Sequence, residues 1–425
     1  MNLTKRNIAD LDVYYIKNDK FKTIEAFFVF SNDFSEKFVN ESTFLTEILS
    51  DSTKKYPSTE KFKLVCDNLY GLSKMSHYHF EGSLDITMFA ISSVNDKYLP
   101  EKHVFNQAFD ILLEMIYAPK TVNAKFTKKI VKEKLSQAFE MLLSIKQNKN
   151  AYSYNQFMKA YLRNNTDHIG IFPNEEGLRD FTQESLTKVH QRLITEDNLK
   201  IFIAGDFDFS EMDNLIATKS QKIRNRSKKE FAFKPFFRSK NELDTNLVID
   251  KTSSGQTRVF IGYDLNFPHN QENAMTMALF NELFGGFENS LLFSNIREKL
   301  HLSYYVFSHY SVGNHLFYIN LETTKDNADK AINEVKQQLL NCQNGEIDEV
   351  LFIQAKNNII NRWQTAVDSQ VKTMLYNIID FFRYENIFDE TEKIKMLENI
   401  TKADLIKLIN SINLDTIYIY TSGEY

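Results

Sequence analysis

In the stretch SNIREKLHLSYYV, residues 294–306, Arg297 and Tyr304 stand seven residues apart where a helix reads into a strand. A guanidinium presents a rigid fork of five donors that suits a carboxylate or a backbone carbonyl. A phenol can donate to an oxyanion that forms during amide hydrolysis. Such a pair could grip a peptide and steady developing charge, but neither residue can make the nucleophile. The plain alternative is a solvated helix residue followed by an aromatic strand residue. From these residues alone, both readings stand.

The rest of the chain offers no nucleophile to complete such a site. It contains no G-x-S-x-G elbow, Walker loop, G-x-G-x-x-G, C-x-x-C, H-E-x-x-H or H-x-x-E-H. His269 and Glu272 give half of the last motif, but Asn273 stands where the second imidazole is needed. His77 and His79 share one face of an expected strand, because side chains alternate with a period of two. A zinc site needs three or four ligands and no third is near in sequence, so these read as strand-face histidines. His301 and His309 flank the next strand and carry no assignment.

Composition narrows the class. The chain has 425 residues with 43% hydrophobic and 25% charged side chains, ordinary globular material for two or three domains. Only 12 Gly and 6 Pro imply long regular elements, and 36 Phe with 20 Tyr imply aromatic packing. A net charge of −5 argues against a nucleic-acid binder. The local exception is residues 219–240, nine Lys/Arg against one Glu, expected as a solvated linker. Two distant cysteines, Cys66 and Cys342, support neither a disulfide framework nor a thiolate metal site. No apolar run reaches the ~20 residues that span a bilayer, and the first twenty residues show no secretory pattern. A cytoplasmic location, with neither membrane nor nucleic acid as partner, is the expectation.

The elements that must position Arg297 and Tyr304 belong to a duplicated plan. Residues 181–207 and 400–425 each read as a capped helix running into an apolar strand, with Thr182 and Thr401 as N-caps. Each strand is expected to end at a glycine, Gly205 and Gly423. Residues 26–52 and 258–287 share the order strand, polar loop, helix, with Glu47-Ile48-Leu49 lying over Glu282-Leu283-Phe284. A period above 200 residues is too long for a solenoid and fits two homologous domains. The expected division is 1–218, a basic linker at 219–240, and 241–425. Within each half, clustered strands and clustered helices predict an α+β fold, a mainly antiparallel sheet with helices packed on it. Gly285 and Gly286 are expected to let the backbone turn after the helix, as a C-cap.

The segment LFNELFGGFENSLLFSNIREKLHLSYYV and the strands after it resemble the second domain of the pitrilysin/insulinase metallopeptidases. The resemblance spans essentially the whole chain and implies that family's two-domain fold. It also implies that Arg297 and Tyr304 bind substrate main chain opposite a zinc ion. In the family the zinc is held by H-x-x-E-H on the first helix and by a Glu on a later one. Here the matching positions are Thr43, Thr46 and Glu47, and Glu133 is expected at the later position. Neutral hydroxyls are poor zinc ligands and Thr46 cannot act as a base. The resemblance therefore implies an inactive subunit that binds no metal. Its expected partner is a paralogous H-x-x-E-H-bearing subunit that carries the zinc and acts with it on a peptide substrate. Segments such as DKFKTI, STKKYP and DNLYG are similar to a bacterial subgroup associated with elongation factor P modification, related pairs serving bacteriocin maturation. The rival readings are a peptide-binding scaffold with no chemistry, an accessory factor in bacteriocin processing, and a free-standing hydrolase with a dispersed triad.

Overall fold

A computed structural model describes residues 3–163, 172–223, 227–236, 245–252, 255–366 and 368–422. The first half runs β1 (Leu3–Ile8), β2 (Leu11–Lys17), β3 (Thr23–Asp33), α1 (Val39–Asp51), α2 (Thr59–Asn68), β4 (Ser73–Glu81) and β5 (Leu84–Val94). It continues with α3 (Val104–Tyr117), α4 (Lys128–Gln147), α5 (Lys149–Leu162), α6 (Gln183–Thr195), β6 (Asn198–Gly205) and α7 (Phe209–Lys219). The second half runs β7 (Asn246–Thr252), β8 (Thr257–Leu265), α8 (Gln271–Asn281), β9 (Tyr305–Ser311) and β10 (Leu316–Thr323). Helices α9 (Lys325–Gln343), α10 (Glu349–Ala366), α11 (Gln370–Tyr384), α12 (Glu390–Asn399) and α13 (Lys402–Ile409) lead to β11 (Ile412–Ser422).

The architecture is α+β and duplicated. One sheet has the order β1-β2-β6-β3-β5-β4, the other β7-β11-β8-β10-β9. Leaving β1 aside, the two orders superpose strand for strand. In both, one pair at the same place is parallel, β2 with β6 and β7 with β11, and every other pairing is antiparallel. The caps that anchor the repeat hold: Thr182 and Thr401 each close a reciprocal capping box, with Ser185 and Asp404. Gly423 lies outside the described residues.

The chain divides into two compact units. The first is Met1–Ser144, Gly170–Phe233 and Ser369–Ile387; the second is Ile145–Ile169, Lys234–Asp368 and Phe388–Tyr425. Two helices thus sit in the unit that the other half of the sequence builds. Helix α11 joins the first unit, where Met374, Ile378, Phe381 and Phe382 pack with Tyr14, Phe27, Val29 and Phe202. Helix α5 joins the second, where Phe157 and Tyr161 pack with Phe260 and Tyr418. Phe157 lies so close to β8 that a Cβ on Gly262 would meet its ring at 2.9 Å. Each sheet carries its other helices on the opposite face, over a large core in each unit. That double cover explains why Ile24 through Ser31 and all of β6 are buried on both faces, as unbroken rather than alternating runs.

Strands β1, β2 and β7 escape a reading by composition. β1 and β2 join at Ala9-Asp10, both with positive φ, the geometry of a tight primed hairpin turn. The usual Asn-Gly signal is missing there. β7 is a short edge strand that gains its place only by pairing with β11. The basic segment is less solvated than its composition implies. Lys219 and Lys222 both bond Asp110, at 2.6 and 2.7 Å, while Phe231 and Phe233 pack against the first unit's outer cluster. Residues 224–226 and 237–240 of that segment lie outside the described residues.

Candidate functional site

In the first unit, α1 carries Thr43, Thr46 and Glu47. Thr43 Oγ1 donates to Val39 O at 2.8 Å and Thr46 Oγ1 donates to Thr43 O at 2.6 Å, so both hydroxyls are spent on their own helix. Thr46 is buried. Lys134, on α4, places its Nζ 2.5 Å from a Glu47 carboxylate oxygen and 3.1 Å from Gln137 Oε1. The same ammonium lies 5.5 Å from the centroid of the buried Phe44 ring. Glu133, expected beside this site, is 60% exposed and pairs instead with Lys129, one turn back on the same helix. The neighbouring residue faces α1 because one step along a helix turns the side chain by about 100°. These residues do not fit a zinc ion: two hydroxyls are committed, one carboxylate is paired, and no imidazole is present on α1. Among the described residues, no group of three His, Cys, Asp or Glu could hold a metal.

His77 and His79 do share a face of β4, with ring centroids 6.1 Å apart. His79 Nε2 lies 2.8 Å from Glu81, and Arg383 of α11 donates to that carboxylate at 2.7 and 2.9 Å. The cluster fastens α11 to the edge of the sheet. Sequence reasoning missed it because Glu81 and Arg383 are 302 residues apart. Asn270 caps α8 by accepting from Asn273 N at 2.8 Å, so the half-motif at 269–273 is a helix start. A cleft of about 950 Å³ in the first unit is lined by Lys17, Lys97, His103, Asp206 and Lys219 among others, and by none of the α1 positions.

In the second unit, the chain between α8 and β9 makes two wide π-type turns, Glu282–Gly286 and Phe293–Lys299. Arg297 rides on the second. Phe293 and Ile296 anchor that turn in the core, and the exposed Arg297 guanidinium lies over the Phe293 ring at 4.6 Å. Tyr304 immediately precedes β9 and is 70% exposed. Its backbone is fixed from both sides. Tyr304 N donates to Glu322 O at 3.1 Å, and the Ser303 hydroxyl reaches both Tyr305 O and Glu322 O, at 2.6 and 2.7 Å. The phenol is therefore held out from a rigid base.

Gly285 and Gly286 serve space rather than a turn. A Cβ on Gly285 would lie 2.6 Å from Ser308 N, and one on Gly286 would lie 2.8 Å from Glu282 Oε2. The C-cap expectation is thus replaced by close approach of the π-turn to β9. The same turn holds Glu282, 3% exposed, whose two oxygens accept from Arg362 of α10 at 2.8 and 2.6 Å.

Residues 180–359 match the family described as peptidase M16 inactive domain. The whole chain aligns with the probable inactive metalloprotease YmfF of Bacillus subtilis, 24% identical over 430 residues, covering 100% of this chain and 99% of that one. An uncharacterized zinc protease of Rickettsia felis is 22% identical over 72% of each chain. Among solved structures, a conserved protein from Enterococcus faecalis superposes with a TM-score of 0.89 at 21% identity, over 100% of this chain and 99% of that one. A peptidase M16 inactive domain from Pseudomonas fluorescens gives 0.79 at 13%, over 100% and 99%. With the duplicated sheets and the missing zinc motif, these matches make the chain similar over its whole length to an inactive M16-type metallopeptidase homologue, with the M16 inactive-domain match confined to residues 180–359.

Proposed function

We propose that this chain is the non-catalytic, substrate-binding subunit of a two-subunit zinc peptidase. Its partner is a paralogue that carries H-x-x-E-H and the metal. Arg297 holds the substrate backbone, and Tyr304 donates to the oxyanion formed at the partner's zinc. The observation that carries this reading is the pairing of an exposed phenol on a braced backbone with an α1 whose metal positions are unfit for zinc.

The test mixes the chain with the paralogue and follows peptide cleavage. Tyr304→Phe removes one donor and is expected to lower turnover by about 10²-fold. Turnover unchanged in that variant, with binding intact, would leave the peptide-binding scaffold as the reading. Cleavage by the lone chain in the presence of a chelator would favour a free-standing hydrolase. The association with elongation factor P belongs to the same proposal. Loss of this chain should leave that factor's modification incomplete, read by intact mass.

A further inference from the structure

The two halves place a carboxylate at the same point of the repeat. Glu47 and Glu282 coincide in the alignment of their helices, and each ends at a basic side chain from the second long helix after the fourth strand of its sheet repeat, β5 in the first unit and β10 in the second. In the first unit that side chain is Lys134 on α4; in the second it is Arg362 on α10. The Lys134 ammonium has three donors, and three partners surround it: the Glu47 carboxylate, the Gln137 amide oxygen and the Phe44 ring face. Its side chain is 13% exposed, so it is a packed group rather than a waving surface lysine.

We infer that Lys134 is a resident cation of the first unit. Its ammonium fills the place between α1 and α4 that a metal ion would take, fastens the two helices as Arg362 fastens Glu282, and closes the site to divalent metal. The inference is independent of the proposed peptidase partnership, because it concerns only this chain's stability and metal affinity. A fixed positive charge disfavours a divalent cation in the same space, and the carboxylate that could bind one is already neutralised. On this view the missing imidazoles are one of two obstacles to metal binding, and the lysine is the other.

A thermal double-mutant cycle on the full chain tests the clasp. Lys134→Met leaves Glu47 without its counter-charge, and Glu47→Gln leaves the ammonium without its own. Each is expected to lower Tm by about 2–4 °C. The double variant should fall no further than the worse single one, and Lys134→Arg should keep most of the wild-type value. Additive losses, or no loss in either single variant, would overturn the clasp. Metal exclusion is read separately by Co²⁺ absorption, with the wild-type chain as baseline. Thr43→His, Thr46→Glu and Glu47→His together should give no tetrahedral Co²⁺ band while Lys134 remains, and should give one when Lys134→Glu is added. A strong band with Lys134 still in place would overturn the exclusion.

Discussion

Helix α1 of the first unit and the stretch 271–304 of the second descend from one plan and have diverged in opposite directions. Helix α1 runs as a regular helix to Asp51, and Thr43, Thr46 and Glu47 turn onto their own helix or onto Lys134. The second stretch unwinds into π-type turns after Asn281, and it presents Arg297 and Tyr304 outward while Glu282 stays buried against Arg362. The contrast is sharpest one residue after the aligned triplets. Ser50 sits there in the first unit and its hydroxyl bonds Thr46 O and Ser76 of β4. Gly285 sits there in the second, where Ser308 of β9 bonds Asn281 O at 3.0 Å instead. The π-turn brings β9 close enough to exclude a Cβ, and the backbone beyond it is rerouted to carry Arg297 and Tyr304. A region closed by its own side chains and one opened by backbone winding thus occupy the same place in the two repeats.

Two pairs of substitutions probe that contrast, beginning with the largest effect. In the mixed assay, Arg297→Ala should cost about 10²-fold or more in peptide turnover, while Thr43→Ala should cost nothing measurable. Equal effects in the two would erase the proposed division between a gripping unit and a closed one. Gly285→Ala forces a methyl group against the Ser308 backbone and should destabilise the chain by about 1–3 kcal/mol in denaturant unfolding. Ser50→Ala in the regular helix should cost less, and the reverse order would undo the packing argument.

A further contrast concerns buried carboxylates. Glu282 has a bidentate guanidinium, whereas Asp85 of the first unit has Arg192 standing off at 3.9 Å. Burial pushes the Asp85 carboxyl up to about 7, only partly opposed by the hydrogen bond from Tyr78 and by Arg192. A folded value above the unfolded one means that the fold disfavours the ionised form. The penalty is full above about pH 7 and fades as pH falls toward the ordinary carboxylate range. Stability should therefore rise on acidification across that window, by up to about 1.4 kcal/mol per pH unit from this group. Asp85→Asn should flatten the dependence. An unchanged profile in urea titrations between pH 5 and 8 would show that Asp85 does not set it.

Much of the fold was legible before any coordinates. The capped helices at Thr182 and Thr401 follow local rules of side-chain oxygen to backbone N–H, and both caps form as read. The apolar runs within β3, β5 and β8 announce strands covered on both faces, and the alternation of β10 announces a half-buried one. The hairpin at Ala9-Asp10 was not legible, since Ala disfavours a positive φ and Asp10 has no Gly or Asn beside it to complete the usual signal. The helix exchange was hidden as well: amphipathic α5 and α11 carry apolar faces, but nothing in their sequences says which sheet those faces meet. Of the candidate site, the missing imidazoles of α1 could be read directly, and Arg297 and Tyr304 are the residues the sequence proposes. Lys134 could not, because Glu133 beside it looked the better candidate and one residue of helical phase decides between them.

The sequence by itself determined the repeat, the α+β class and the absence of a metal motif, because periodicity, caps and ligand types are properties of residues and their near neighbours. Tertiary structure alone decided which helix covers which sheet, that Lys134 meets Glu47, and that Gly285 yields space to Ser308. Those outcomes depend on groups tens or hundreds of residues apart competing for the same volume, and only the folded packing settles that competition.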